Sequence, residues 1–163
     1  MGYTTEFQGQ FNLDRPLSKA HRDYLEAFSS SRRMERDPKI ALDFPDPLRE
    51  AVNLPIGDDA GYFVSGSGLS GQDRDPSVVN YNGPPSGQPG LWCQWVPNKD
   101  GTAIEWDGGE KFYYYTQWLS YIIKHFLQPW GYTLNGIVKW RGEEFDDLGN
   151  LEVKNNVVSS HRR

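Results

Sequence analysis

Carboxylate side chains recur near the end of one predicted strand and in one predicted loop. Glu105 and Asp107 stand two residues apart, so both project from one face of a strand. Glu143 and Glu144 belong to an acidic loop at 143–147, which can lie near the same sheet edge. Such carboxylates can bind a hard cation, or divide acid and base roles when their environments separate their pKa values. The pattern allows an enzyme acting on a nucleotide or sugar, but a helix cap at Asp107 and a solvated acidic turn explain the same residues.

Aromatic residues are the densest chemical signal in the chain, which has 6 tryptophans and 9 tyrosines. Rings beyond the needs of a core can stack on a nucleobase or sugar, or anchor a protein interface. Trp92 and Trp95 fall on opposite faces of their predicted strand, and Tyr114 and Trp118 belong to a second stripe of the main helix. The predicted ligand-binding or partner-binding residues are Trp92, Trp95, Tyr114, Trp118, Arg32 and Arg33. An entirely internal aromatic core, with the arginines as an ordinary basic helix end, is the alternative.

Two weaker motifs point to other chemistry. Residues 66–71, GSGLSG, fit the first half of a dinucleotide-binding fingerprint, but the following QDRDPS has a proline and no helical period, which favours a flexible glycine loop. Cys93 and His125 can form a nucleophile and base pair, although a cysteine is often simply buried. The three histidines show no spacing typical of metal ligands, so the sequence predicts no metal and no cofactor.

One helix, predicted at 111–128, is the element that must position most of these residues. Apolar side chains recur along it at helical spacing, so one face is expected to lie on a sheet. Asp107 and Glu110 have the spacing of a capping box at its start. Pro129 and Gly131 predict its end, because proline cannot continue the hydrogen-bond ladder and glycine suits a left-handed exit.

The rest of the chain predicts an α+β domain. Period-2 alternation predicts strands at 3–13, at 91–96 and 102–106 as a hairpin, and at 132–142 and 149–158. A second helix is predicted at 16–30, and only the run at 61–64 is strand-like within a long Pro/Gly-rich loop at 37–90. We therefore expect a single domain at 1–154, with a mainly antiparallel sheet and two helices packed on one face. Residues 155–163 are expected to form a basic, disordered tail.

Composition sets limits on the class of protein. The chain has 163 residues, a net charge of -5 and a single cysteine, which favours a reducing compartment and argues against a nucleic-acid binder that neutralises phosphates. We find no run long enough to span a bilayer and no pattern typical of a signal peptide, so the expected location is cytoplasmic.

Four runs of the chain carry a resemblance to known proteins: IEWDGGEKF, HFLQPWGYTLNG, the opening GYTTEFQGQF and the middle run GQPGLWCQWVP. Through these runs the chain resembles a family of small uncharacterised proteins of bacteria and their phages. The resemblance covers most of the chain outside the long loop and implies a bacterial or phage intracellular setting, without assigning an activity or a catalytic residue. With the aromatic signal, it favours a binding protein that acts on a protein partner or sequesters a small ligand. A hydrolase or transferase using the carboxylates is the alternative, and a self-associating structural subunit is a third.

Overall fold

The chain forms two compact units in the computed structural model, which describes residues 2–65 and 74–163. The sheet unit comprises Met1–Leu17 and Gln94–Arg163. The inserted unit is Ser18–Cys93. The glycine motif at 66–71 lies outside the described residues.

The elements follow in chain order. The strands are β1 (Glu6–Leu13), β2 (Glu35–Arg36), β3 (Val78–Asn80), β4 (Trp95–Pro97), β5 (Ala103–Trp106), β6 (Leu134–Arg141), β7 (Leu148–Lys154) and β8 (Val157–Arg162). The helices are α1 (Lys19–Ser30), α2 (Pro38–Ala41), α3 (Pro47–Ala51) and α4 (Tyr115–Ile122). The chain also forms a 3-10 turn at Asp58–Ala60 and a π-helical turn at Ile123–Leu127.

Six antiparallel strands form the sheet of the sheet unit, in the order β4-β5-β1-β6-β7-β8. This confirms the predicted α+β class with a mainly antiparallel sheet, and the predicted hairpin is the β4–β5 pair. The expectation of a disordered tail at 155–163 is wrong, because β8 pairs with β7 along its length.

Alternating side chains give the sheet one apolar face and one polar face. Phe11 and Val138 are fully buried, while Gln8 and Lys139 are exposed on neighbouring strands. Helix α4 contacts both edge strands, β4 and β8, so it crosses the apolar face. Burial of this face supplies the main stabilisation of the sheet unit. The expected packing of two helices on one face is not confirmed, since α1 belongs to the inserted unit.

The start of α4 differs from the prediction. The helix begins at Tyr115, and its N-cap residue Tyr114 makes no side-chain cap hydrogen bond. Asp107 Oδ1 instead accepts a hydrogen bond from the Gly109 N–H at 2.7 Å, so the predicted capping box is wrong. Lys111 and Tyr114 both adopt left-handed φ values, of 56° and 59°, which interrupts the helical run that begins in the sequence at Lys111.

The end of the helix agrees with the sequence. After the π-helical turn, Gly131 has a φ of 87° and its N–H donates to the Gln128 carbonyl at 3.0 Å. The N–H of Tyr132 then donates to the Leu127 carbonyl at 2.9 Å. These bonds satisfy carbonyls that the helix end leaves without partners.

The inserted unit contains α1 and the region predicted as an irregular loop. Ser18 caps α1 by accepting a hydrogen bond from the His21 N–H, close to the predicted start. The loop region contains α2, α3, the 3-10 turn and the β2–β3 pair, so it is more ordered than expected. The run at 61–64 is not a strand, but it buries Phe63 and Val64.

A buried ion pair lies within the inserted unit. Arg49 Nε donates to Asp46 Oδ2 at 2.7 Å, and Asp46 Oδ1 accepts from the Val64 N–H at 3.2 Å. Both side chains are almost completely buried. Each therefore depends on the other for its charge to be tolerated.

Candidate ligand-binding cleft

A cleft of about 440 Å³ opens in the sheet unit. It lies where the segment before β1, the start of α4, the β6–β7 loop and β8 meet. Its lining residues are Tyr3, Thr5, Phe112, Tyr113, Tyr114, Tyr115, Trp140, Asp147, Ser160 and Arg162. A concave site with apolar walls and a few polar groups is the usual form of a small-molecule site.

Three tyrosines at the cleft keep much of their surface in water. Tyr3 is 37% exposed, Tyr113 49% and Tyr114 57%. They are among the few large apolar or aromatic side chains of the described residues that remain exposed. Behind them, Phe112 and Trp140 are buried and belong to the aromatic core. The exposed rings are therefore concentrated where the chain forms a concavity.

The core fixes the inner wall of the cleft. The Tyr115 ring lies 6.1 Å from the Trp140 ring and 5.0 Å from the Phe7 ring, measured between centroids. The Trp95 indole N–H donates to the Tyr115 carbonyl at 2.8 Å. The tilted contact with Trp140, the edge-on contact with Phe7 and this hydrogen bond hold the start of α4 against the sheet.

Backbone conformation places the outer wall. Tyr114 has φ 59° and ψ 35°, in the left-handed region that a residue with a large side chain seldom adopts. This conformation costs about 1–2 kcal/mol for a non-glycine residue. Its ring gains little burial in return, because it is more than half exposed. Strain of this kind occurs at functional sites, and Tyr114 is the residue of the cleft lining that shows it.

A polar network closes one end of the cleft. The Tyr3 hydroxyl donates to Asp147 Oδ2 at 2.5 Å, and Arg162 forms an ion pair with Asp147, with 3.1 Å between Nη2 and Oδ1. The Tyr3 hydroxyl also accepts from the Glu143 N–H at 3.0 Å, and the Tyr113 hydroxyl accepts from the Tyr3 N–H at 3.1 Å. The network joins the chain before β1 to the β6–β7 loop and to β8.

Electrostatics in the cleft favour protonated phenols. The hydrogen bond to Asp147, with a smaller contribution from burial, raises the pKa of Tyr3 above its ordinary value of 10.0. Burial, followed by the charge of Asp147, raises the pKa of Tyr115. A phenolate next to a carboxylate is unfavourable, so both hydroxyls keep their protons at neutral pH, and that of Tyr3 is donated to Asp147.

The predicted aromatic residues divide between the core and the cleft. Tyr114 lines the cleft. Trp95 is 1% exposed and Trp118 is fully buried, so the prediction that they form a binding surface is wrong. Trp92 is half-buried in the inserted unit. The density of tryptophan in the sequence is thus mainly a property of the core.

The predicted arginine rim has structural roles in the inserted unit. Arg33 is buried, and its guanidinium donates to the Phe63 carbonyl at 2.6 Å and lies over the Phe28 ring. Arg32 donates to the Tyr81 carbonyl at 2.9 Å and lies 4.1 Å above the Tyr81 ring. Burial removes Arg33 from any accessible rim.

The predicted carboxylates are not joined into one group. Glu105 lies in β5 opposite Val96, and Asp107 is engaged in its own turn. Burial raises the pKa of Asp107. Glu143 accepts a hydrogen bond from the Thr4 N–H, and Glu144 is exposed.

Other predicted chemistry also lacks support in the described structure. Across residues 2–65 and 74–163, no three His, Cys, Asp or Glu side chains are grouped so that they could hold a metal ion. Cys93 is fully buried in the inserted unit, where a substrate has no access to its thiol. His125 stacks on Tyr121 in the sheet unit, with ring centroids 4.0 Å apart.

The sequence does not predict several of the cleft residues. Tyr3 and Thr5 fall in a predicted strand, and Arg162 falls in the predicted disordered tail. Asp147 enters the prediction only as one member of the acidic loop. Sequence periodicity gives no signal for these residues, because the cleft brings together positions more than a hundred residues apart.

The comparisons with known proteins give no assignment. The chain matches no model of a known protein family, no curated protein and no solved structure. Among the described residues, no helix has the length and apolar character that a membrane crossing needs. Any functional assignment therefore depends on the site itself.

Proposed function

We propose that the sheet unit is a binding module and that the aromatic cleft holds a small ligand. The observation that supports this most strongly is the concentration of Tyr3, Tyr113 and Tyr114, all substantially exposed, around one concavity. A soluble protein seldom leaves several large rings together in water unless they contact a partner. The volume of about 440 Å³ suits a compact molecule of one or two rings.

The rings and the polar end of the cleft have different roles in this proposal. Tyr113 and Tyr114 contact the faces of the ligand, and their hydroxyl groups remain near water. Thr5 and Ser160 offer hydroxyl groups to polar atoms of the ligand. The ligand thus gains apolar contact on one side and hydrogen bonds on the other.

Binding explains the cleft better than hydrolysis or group transfer does. Asp147 is the carboxylate of the 143–147 loop that lines the cleft. Its Oδ2 accepts the Tyr3 hydroxyl and its Oδ1 pairs with the cation of Arg162, so it is placed for pairing with a positive charge rather than for taking a proton from a substrate. A general base needs an oxygen within reach of the proton it removes. The resemblance to bacterial and phage proteins supports the further proposal that the module acts inside a bacterial cell, by sequestering a ligand or by holding a side chain of a partner.

Nuclear magnetic resonance of the ¹⁵N-labelled protein tests the proposal. Phenol, methyl glucoside and choline are titrated separately, as a planar, a neutral polar and a cationic probe. We expect at least one probe to shift the amide signals of Tyr3 and of residues 113–115. Shifts confined to other regions, or none with any probe, would contradict the proposal.

A further inference from the structure

We propose that the ligand of the aromatic cleft is an organic cation, such as a quaternary ammonium or a guanidinium group. The inference rests on the proposed function, because it names the chemical class that the same cleft binds. It follows from the rings, the charges of the adjoining loop and the position of one arginine.

The lining of the cleft is mostly aromatic. Six of its ten residues are tyrosine, tryptophan or phenylalanine: Tyr3, Phe112, Tyr113, Tyr114, Tyr115 and Trp140. The face of an aromatic ring carries partial negative charge and attracts a cation within about 6 Å of its centroid. Several rings around one concavity form the kind of cage that recognises quaternary ammonium groups.

Carboxylates reinforce this preference. Asp147 lines the cleft, and the 143–147 loop that contains it has four acidic residues and no basic one. A negative local potential raises the concentration of cations at the mouth of a cleft and speeds their association. Quaternary ammonium groups are weakly hydrated compared with metal ions, so they can exchange their hydration water for contact with aromatic rings.

Arg162 occupies the position that a ligand cation would take. Its guanidinium carbon lies 5.8 Å from the centroid of Trp140, and its Nη2 is 3.1 Å from Asp147 Oδ1. The Arg162 side chain is 69% exposed, so the ion pair is screened by water and weak. A ligand cation can therefore displace Arg162 from Asp147 and reach the same carboxylate and the same ring.

Two features of the cleft would instead suit an anion. The first is the positive charge of Arg162. The second is the N-terminus of α4, because it has neither a side-chain cap nor an acidic residue in its first turn. The six rings of the lining, Asp147 and the other acidic residues of the 143–147 loop oppose an anion, and they outnumber these features. The two alternatives predict opposite effects of removing Arg162, which makes them separable.

Calorimetric titration compares choline with 3,3-dimethylbutan-1-ol, its uncharged isostere, and with benzoate. We expect choline to bind the wild-type protein about tenfold or more tightly than the isostere, since the two differ only in the charge that the rings recognise. Equal affinities, or tighter binding of benzoate, would overturn the inference. This comparison uses the unaltered protein and does not depend on the folding of a variant.

Two variants then test the roles of the charged residues. Asp147→Asn should weaken choline binding, while Arg162→Gln should leave it unchanged or tighten it, because a competing cation is removed. Arg141→Gln is the matched control, since Arg141 is an exposed arginine of β6 that does not line the cleft. Loss of choline binding in Arg162→Gln alone would show that Arg162 helps the ligand and would contradict its role as an internal competitor.

The outcomes also separate this inference from the proposed function. If phenol or methyl glucoside binds in the cleft and choline does not, the module binds small ligands but the cationic class is wrong. If no probe binds there, the proposed function fails together with the inference.

Discussion

The Tyr3 hydroxyl donates a 2.5 Å hydrogen bond to Asp147 Oδ2 and so joins two residues 144 positions apart in the chain. The bond fixes the segment before β1 against the β6–β7 loop. It also holds Asp147 where Arg162 reaches its other oxygen. The polar end of the cleft therefore depends on a contact between the segment before β1 and the β6–β7 loop.

Tyr3 should make the protein sensitive to alkaline pH. Since the pKa of Tyr3 is raised in the folded state, the unfolded chain ionises first as pH rises above 10.0. The contribution of Tyr3 is complete below that pH and is lost as pH rises through the raised pKa. We expect the urea midpoint to fall more between about pH 8 and about pH 11 in the wild type than in Tyr3→Phe. Tyr81→Phe, in the inserted unit, is the control, and an equal fall in wild type and Tyr3→Phe would contradict the assignment.

The left-handed conformation of Tyr114 predicts an unusual order of stability. Glycine tolerates this conformation and alanine does not, so Tyr114→Gly should be more stable than Tyr114→Ala by about 1 kcal/mol. Gln117 is an exposed position inside α4, where alanine is the better helix former. Gln117→Ala should therefore be more stable than Gln117→Gly by about 1 kcal/mol. Chemical denaturation of the four variants measures both differences. The same order at both positions would show that Tyr114 is not strained.

The buried ion pair of the inserted unit should be costly to break. Asp46→Ala leaves the Arg49 charge buried without its partner, and we expect the free energy of unfolding to fall by about 3–5 kcal/mol. Asp43→Ala, at an exposed site nearby, should change it by less than about 0.5 kcal/mol. Urea titration followed by circular dichroism gives both values, and similar small changes would mean that the pair is dispensable.

Local patterns in the sequence predict most of the sheet. Alternating apolar residues predict strands β5, β6 and β7, and a polar loop separates β6 from β7; both effects act over a few neighbouring residues. The end of the main helix is also predicted from local residues, because Pro129 and Gly131 each end a helix through their own backbone conformation. Gly136 lies within the regular β1–β6 pair, where a Cβ atom would come within 2.9 Å of the Gln10 carbonyl oxygen.

Tertiary contacts decided the features that the sequence did not predict. Strand β8 contains SSHR, which has no apolar alternation, and its pairing is supplied by β7. The start of α4 is displaced by two left-handed residues, while Phe112 between them is buried against Phe7 and Trp95. Packing of this kind overrides helix propensity.

The cleft was predictable only in part. Tyr114 was expected to bind a ligand because of its position on the second helical stripe, and it lines the cleft. The abundance of tryptophan predicts that Trp95 and Trp118 belong to the same surface, yet both are buried. Residue type alone cannot distinguish a ring that fills the core from one that lines a cleft. Arg162 and Asp147 meet only through the register of β7 and β8.

The central claim is that the aromatic cleft binds a small ligand. The most direct test is a calorimetric measurement of ligand affinity for the wild-type protein and for Tyr114→Ala. The probe is whichever of phenol, methyl glucoside and choline binds the wild type most tightly. Leu42→Ala is the control, because Leu42 is as exposed as Tyr114, at 57%, but belongs to the inserted unit. We predict that Tyr114→Ala weakens binding by about tenfold or more and that Leu42→Ala leaves it unchanged. Wild-type affinity in a folded Tyr114→Ala protein would contradict the assignment of the cleft as the binding site.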